Sequence, residues 1–263
     1  MKKLLSVLLA LCLVASVLAL VSCKKEKTTA EKLTEAVQAT QAYDAYAALY
    51  DMKISMDMDG VSMDIPMTMD MKIKGATTDS PIASMNVKME MLGMELEMPM
   101  YMEGEWIYAS VMGMNYKMRA DENETEAAYA ESVSDMLQIL PEDVLEGVEM
   151  TLGEDGSETV SVPLSDEKFM ELFGDVASSA ANSASGADSD VSLADATVSI
   201  TVKDGLVSVY GISFTMNMQM DIGEGQPTDV AAGVTATVTF TEFGDTVVIT
   251  PPEGYENYQE LDQ

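Results

Sequence analysis

The chain has no histidine, and its two cysteines, Cys12 and Cys23, lie within and at the end of its apolar leader. The body beyond Lys24 therefore has no disulfide, no thiol nucleophile and no thiolate metal site. Without histidine the commonest general base and the commonest transition-metal ligand are also missing. Residue count alone thus excludes Ser-His, Cys-His and zinc-His chemistry. Tryptophan is scarce too, with Trp106 the single example. That is too little for the aromatic girdles of a membrane barrel. Basic residues are outnumbered, 14 Lys and Arg against 45 Asp and Glu, for a formal charge of -31. Such a surface repels nucleic acid, whose binding needs cations against phosphate. What the chain does have is a 47% apolar composition and 24 methionines. That is enough for a core, and the length suits one large β-rich domain.

Lys2 and Lys3 precede an uncharged apolar run from Leu4 to Val21, the layout of an export signal. The run closes on Leu20-Val21-Ser22-Cys23, which resembles the lipobox of bacterial lipoprotein precursors. An uncleaved spanning helix is the competing reading, since such a helix needs about 20 apolar residues. The cysteine at this distance from the lysines favours cleavage and lipidation. The expected division is a signal peptide over 1–22, a lipidated tether over 23–30, one domain over 31–252 and an acidic tail over 253–263. Diacylglycerol and a further acyl chain such as palmitate on Cys23 would anchor the protein outside the cell membrane. Lys24, Lys25 and Lys27 would lie against anionic head groups.

The domain changes period along its length. Thr28 to about Leu49 reads as a helix, with a capping box at Thr28 and Glu31 and a stripe of Leu33, Ala36, Val37, Tyr43 and Ala47 that Thr40 interrupts. Alternation of apolar and polar residues then predicts hairpins. A two-residue turn at Asp59-Gly60 pairs Met58 with Val61, and one at Leu92-Gly93 pairs Met91 with Met94. Asp204-Gly205 pairs Val202 with Val207, and a three-residue loop pairs Met150 with Val160. Ile107, Ala109 and Val111 fall inside, with Trp106 and Tyr108 outside. Pro66 points to an edge or a bulge, and a change of parity near Gly211 points to a bulge. Further helices are expected from about Glu126 to Leu140 and after Ser165, the latter burying Phe169, Leu172, Phe173 and Val176. Residues 178–190 read as a flexible linker. Val247 and Ile249 are expected as the last strand, Pro251-Pro252 as the end of the sheet, and the tail as loose.

The expected fold is α+β and mostly antiparallel, a curved half-barrel of about ten strands with three helices on its concave side. Strands about 4.8 Å apart outspan what three helices about 10 Å wide can cover. Uncovered apolar surface should therefore remain on the inner face. Methionine dominates that face, and its flexible thioether repacks around irregular partners. The first half of the chain supplies Met56, Met58, Met67, Met69, Met71, Met89 and Met91 as expected ligand-lining residues. Met98, Met100, Met102, Met216 and Met218 complete the set. No catalytic residue, metal site or cofactor is expected, and the chain is not expected to be an enzyme. Two other functions fit the same residues. One is a ligand-free structural or sensor module. The other is copper(I) binding, for which Met67-Thr68-Met69-Asp70-Met71 and Met98-Pro99-Met100-Tyr101-Met102 have suitable spacing.

A lipobox, a first helix, long alternating hairpins, a second helix and more hairpins together resemble the lipoprotein-carrier superfamily, which includes LolA, LolB and the LppX/LprG-type lipoproteins. The Met-rich hairpins followed by Trp106-Ile107-Tyr108 are similar to an uncharacterised branch of it. The resemblance covers roughly Thr28 to Pro252. It implies a helix-capped half-barrel whose cavity holds a lipid, acyl-chain or lipoprotein ligand, outside the cytoplasm.

Overall fold

A computed structural model of the chain describes residues 27–58, 61–76, 78, 80–91, 93–119, 137, 140–174, 192–220 and 228–261. The side chains of 57, 58, 61, 91, 218–220, 228 and 229 are outside that description. The strands are β1 (Ala45–Met58), β2 (Val61–Lys74), β3 (Ile82–Met91), β4 (Met94–Glu103), β5 (Trp106–Val111) and β6 (Met114–Arg119). They continue as β7 (Thr151–Leu152), β8 (Glu158–Pro163), β9 (Ser192–Lys203), β10 (Leu206–Met220), β11 (Thr228–Phe243) and β12 (Gln259–Glu260). The helices are α1 (Thr29–Gln41), α2 (Glu142–Leu145) and α3 (166–174). All twelve strands form one open, curved sheet in the order β12-β6-β5-β4-β3-β2-β1-β11-β10-β9-β8-β7. The fold is the α+β, mostly antiparallel half-barrel expected from the alternation, with two more strands than the rough count.

Turn chemistry sets the register. Met58 pairs with Val61, Met91 with Met94, and Val202 with Val207. At Asp204-Gly205 both residues have positive φ, 53° and 80°, the twist that two-residue hairpins need. The β4–β5 turn falls one residue later than expected, pairing Glu103 with Trp106, and Met102 faces Ile107. The inside and outside assignments survive that shift. The parity change in β10 comes from an extra residue at Ser208, between Val207 and Val209, rather than from Gly211. The Ser208 hydroxyl donates to the Thr201 carbonyl at 3.1 Å. Asp195, at φ 55°, sits in a second irregularity that keeps both Leu193 and Val198 buried. Each strand proline lies where one neighbour is missing. Pro66 pairs with β1, but the β3 ladder starts only at Met67. Pro99 pairs with β3, but the β5 ladder starts at Met100. A residue without an N–H costs nothing there.

The capping box forms: the Thr28 hydroxyl accepts from Glu31 N at 3.1 Å, and Glu31 Oε2 accepts from Thr28 N at 2.8 Å. α1 ends at Gln41, earlier than expected. Tyr43 is exposed and its ring meets Phe243 tilted by 41° at 4.9 Å, and Ala47 belongs to β1. The cause is the period-two run Tyr46, Ala48, Tyr50, Met52, which pairs with both β2 and β11. Lys168 N donates to the Ser165 hydroxyl at 3.3 Å, capping α3, whose Phe169 is buried. The helix expected over Glu126–Leu140 lies outside the described residues, apart from Leu137 and Leu140, which are core. The 178–190 linker and Val176 also lie outside them.

The C-terminal end departs most from expectation. Val247 and Ile249 form no strand, although Val247 is fully buried. Past Pro252 the described tail is docked. A 3-10 turn at Tyr255–Asn257 leads into β12, which pairs parallel with β6 through Gln259–Tyr116 and Glu260–Lys117.

Candidate functional site

Two ends of the sheet are distinct. The far end carries the turns that join β1 to β2, β3 to β4, β5 to β6 and β10 to β11. The near end carries the β4–β5 and β9–β10 turns and the start of β1. Three side-chain contacts fix α1: Lys32 Nζ reaches Glu158 at 2.5 Å and Thr40 Oγ1 accepts from Val207 N at 2.9 Å, both at the near end, and Thr29 Oγ1 donates to the Val148 carbonyl at 2.7 Å. Thr40 also donates to the Ala36 carbonyl at 2.8 Å, so the one polar residue of the stripe is fully used. α3 covers the same side of the sheet, with Phe169 and Phe214 at 5.1 Å. The helices therefore lie over β8 to β10.

Cross-strand pairs join the inner-face residues into rows. One row runs Met98, Val87, Met69, Tyr50, Val238, Tyr210, Ile200, Val160 from β4 to β8. The next runs Leu96, Met89, Met67, Met52, Ala236, Ile212, Val198, Val162. Each row changes character along its length. Under the helices, Val160, Val162, Val198, Ile200 and Tyr210 are buried. On β1 to β4, Met52, Met67, Met69, Met89 and Met98 are only half-buried, as is Tyr50. Toward the near end the methionine half closes, with Met71 and Met102 each 2% exposed. Toward the far end it opens, and Met94 is 66% exposed. The result is an apolar inner face, here termed the trough, packed as a floor under α1 and α3 and half-buried along a methionine wall toward the far end.

The twelve expected lining methionines divide accordingly. Met56, Met67, Met69, Met89, Met98 and Met100 are half-buried on the wall. Met71, Met102 and Met216 are core residues. Met58, Met91 and Met218 have described backbone but no described side chain. The sequence reading did not single out Met52 or Tyr50, though both share the parity of Met56.

Tyrosines also face inward, among them Tyr46, Tyr50 and Tyr210. Burial pushes the phenols of Tyr46, Tyr50 and Tyr210 well above their ordinary value, with Tyr46 adding repulsion at Tyr50. All three are neutral hydroxyl donors at any physiological pH. Acid groups stay on the outer face or the rim. Lys53 pairs with Asp64 at 2.8 Å, and Lys88 with Glu97 at 3.4 Å. Asn86 and Lys88 hold the Glu97 carboxyl below its usual range. Among the described residues no cluster of three His, Cys, Asp or Glu could hold a metal, and no helix is long and apolar enough to cross a membrane. Cys23 lies outside the described residues.

A family model of unknown function, DUF6612, matches residues 28–253. The chain belongs to the DUF6612 family. No curated protein is detectably similar to it. Solved structures similar to it include LprF from Mycobacterium bovis, at 11% identity and a TM-score of 0.40, covering 86% of this chain and 97% of that one. A LolA superfamily protein from Nitrosomonas europaea is similar at 10% identity and a TM-score of 0.25, covering 86% and 96%. A DUF1329 family protein from Desulfovibrio piger is similar at 7% identity and a TM-score of 0.25, covering 84% and 93%. At these identities no residue role carries over to the DUF6612 chain.

Proposed function

We propose that this DUF6612 protein is an extracytoplasmic lipoprotein, anchored through lipid on Cys23, that binds a lipid or acyl chain along the methionine wall of its sheet. One observation carries the proposal. Along single cross-strand rows, burial falls from the helix-covered β8–β10 side to the half-buried methionines of β1–β4. An apolar wall left partly wet gains roughly 25 cal/mol for each Å² that a guest covers. Methionine suits a guest of variable shape, because its side chain has three rotatable bonds and a polarizable sulfur. Binding is by exclusion of water, with no covalent step. The ligand-free module would share the fold, and the experiment separates the two. A soluble form starting at Lys24 should retain lipid through purification, seen by native mass spectrometry, and take up a fluorescent fatty acid after delipidation. Repeated recovery without lipid, together with no uptake, would leave only the ligand-free module.

A further inference from the structure

Tyr210 sits in the inner-face row between Val238 and Ile200, is 4% exposed, and its hydroxyl has no hydrogen-bond partner among the described residues. That is unexpected on physical grounds. A buried hydroxyl without a partner forfeits its hydration and gains nothing in return. Phenylalanine would fill the same space without that cost. Thr40, also buried in this interior, has both a donor and an acceptor contact. Burial pushes the Tyr210 phenol up, so the group stays protonated and offers a donor. Tyr50 lies in the same row, two strands away across Val238. Strand spacing puts the two backbones about 9.6 Å apart. Tyr50 also stands where the methionine wall begins, next to Met69 in the row. The row thus holds an unpartnered donor in the packed floor, two strands from β1, and a second phenol between that donor and the methionine wall.

We propose that Tyr210, with Tyr50 beside it, is the polar subsite of the trough and selects ligands that carry a hydrogen-bond acceptor on the apolar chain, such as an ester or carboxyl carbonyl, over plain hydrocarbon. This rests on the trough being a ligand site. It adds the ligand's chemical class: an acylated molecule seated with its carbonyl toward β10 and its chain along β1 to β4. A site built to hydrogen-bond a guest discriminates strongly against an analogue that lacks the group, because its own polar atom is then left unpaired.

The test compares methyl palmitate and hexadecane as competitors of a bound fluorescent fatty acid, using the protein from Lys24 onward, native and Tyr210→Phe. The native protein should prefer the ester by about tenfold or more, the scale of one good hydrogen bond to a buried donor. Tyr210→Phe should bring that ratio close to one by weakening the ester alone, leave hexadecane unchanged, and melt no lower than the native protein. A preference unchanged in Tyr210→Phe would overturn the subsite while the trough stands. So would a native protein that binds both probes equally. Failure of both probes to bind the native protein would overturn the trough reading and this inference with it.

Discussion

Thr40 shows how one residue can fasten a helix to a sheet. Its hydroxyl bridges the Ala36 carbonyl and the Val207 amide inside the core. Thr40→Val keeps the shape and strands a buried N–H, so it should cost about 1–3 kcal/mol in urea unfolding. A loss under about 0.5 kcal/mol would mean that water replaces the contact. On the wall, Met69 is half-buried and Asp70 is exposed on the opposite face. Met69→Glu should cut acyl uptake at least about tenfold, because a chain cannot cover a carboxylate without desolvating it. Asp70→Asn should leave uptake unchanged. Equal effects of the two would detach binding from the inner face. The pH profile follows from residue types. With no histidine or cysteine beyond Lys24, no ordinary side-chain titration of the body falls between about pH 6 and 9. Tyr46, Tyr50 and Tyr210 have phenols raised above their unfolded value near 10. Their contribution is complete below that value and declines as pH rises past it, when the unfolded chain ionises first. Thermal melts should be flat from about pH 6 to 9 and fall above about 10.

Among the elements, the C-terminal segment carries the least expected role. Tyr255 meets Tyr108 edge-on at 4.9 Å and Tyr101 at 5.4 Å, and Tyr258 meets Tyr108 at 6.0 Å. Tyr101, although on the outer face, is 3% exposed. β12 covers part of the β6 edge, where unpaired backbone would otherwise invite another chain. Ending the chain after Pro252 should expose that aromatic patch, speed amide exchange in β5 and β6, and promote self-association seen by light scattering. Unchanged exchange in both strands would mean that the segment merely rests there. The tail was illegible in the sequence because its partners, Tyr101 and Tyr108, lie far away in the chain and on the face assigned to water. Period-two alternation, by contrast, made β1 to β4 legible almost residue by residue, since one buried face and the turn residues over-determine register. The helix stripe overran into β1 because Tyr43 and Ala47 fit either period. Val247 was read as strand because burial alone does not distinguish a strand from a packed coil. The methionine wall was legible as a face. Its division into packed floor and half-open wall was not, because that depends on which strands the helices cover.

At the scale of the molecule, the proposed anchor at Cys23 and the proposed ligand wall set an orientation that can be tested. Thr28, five residues after Cys23, opens a helix whose Lys32 and Thr40 contacts are at the near end. Five residues span about 17 Å at most, whereas the 14 residues of β1 run about 46 Å toward the far end. The lipidated protein should therefore hold its near end to the membrane and open its trough away from it. Trp106, beside the near-end β4–β5 turn, is a built-in reporter. Brominated lipids should quench it more strongly than a tryptophan placed at Met112 of the far-end β5–β6 turn in a Trp106→Phe background. The reverse order would turn the molecule over. The central claim, that the methionine wall is where a guest lies, is tested most directly by photo-crosslinking. A fatty acid with a photoreactive terminal group, loaded into the protein from Lys24 onward, should mark peptides containing Met67, Met69, Met89 or Met98. Labelling confined to the outer face or the C-terminal segment would contradict it.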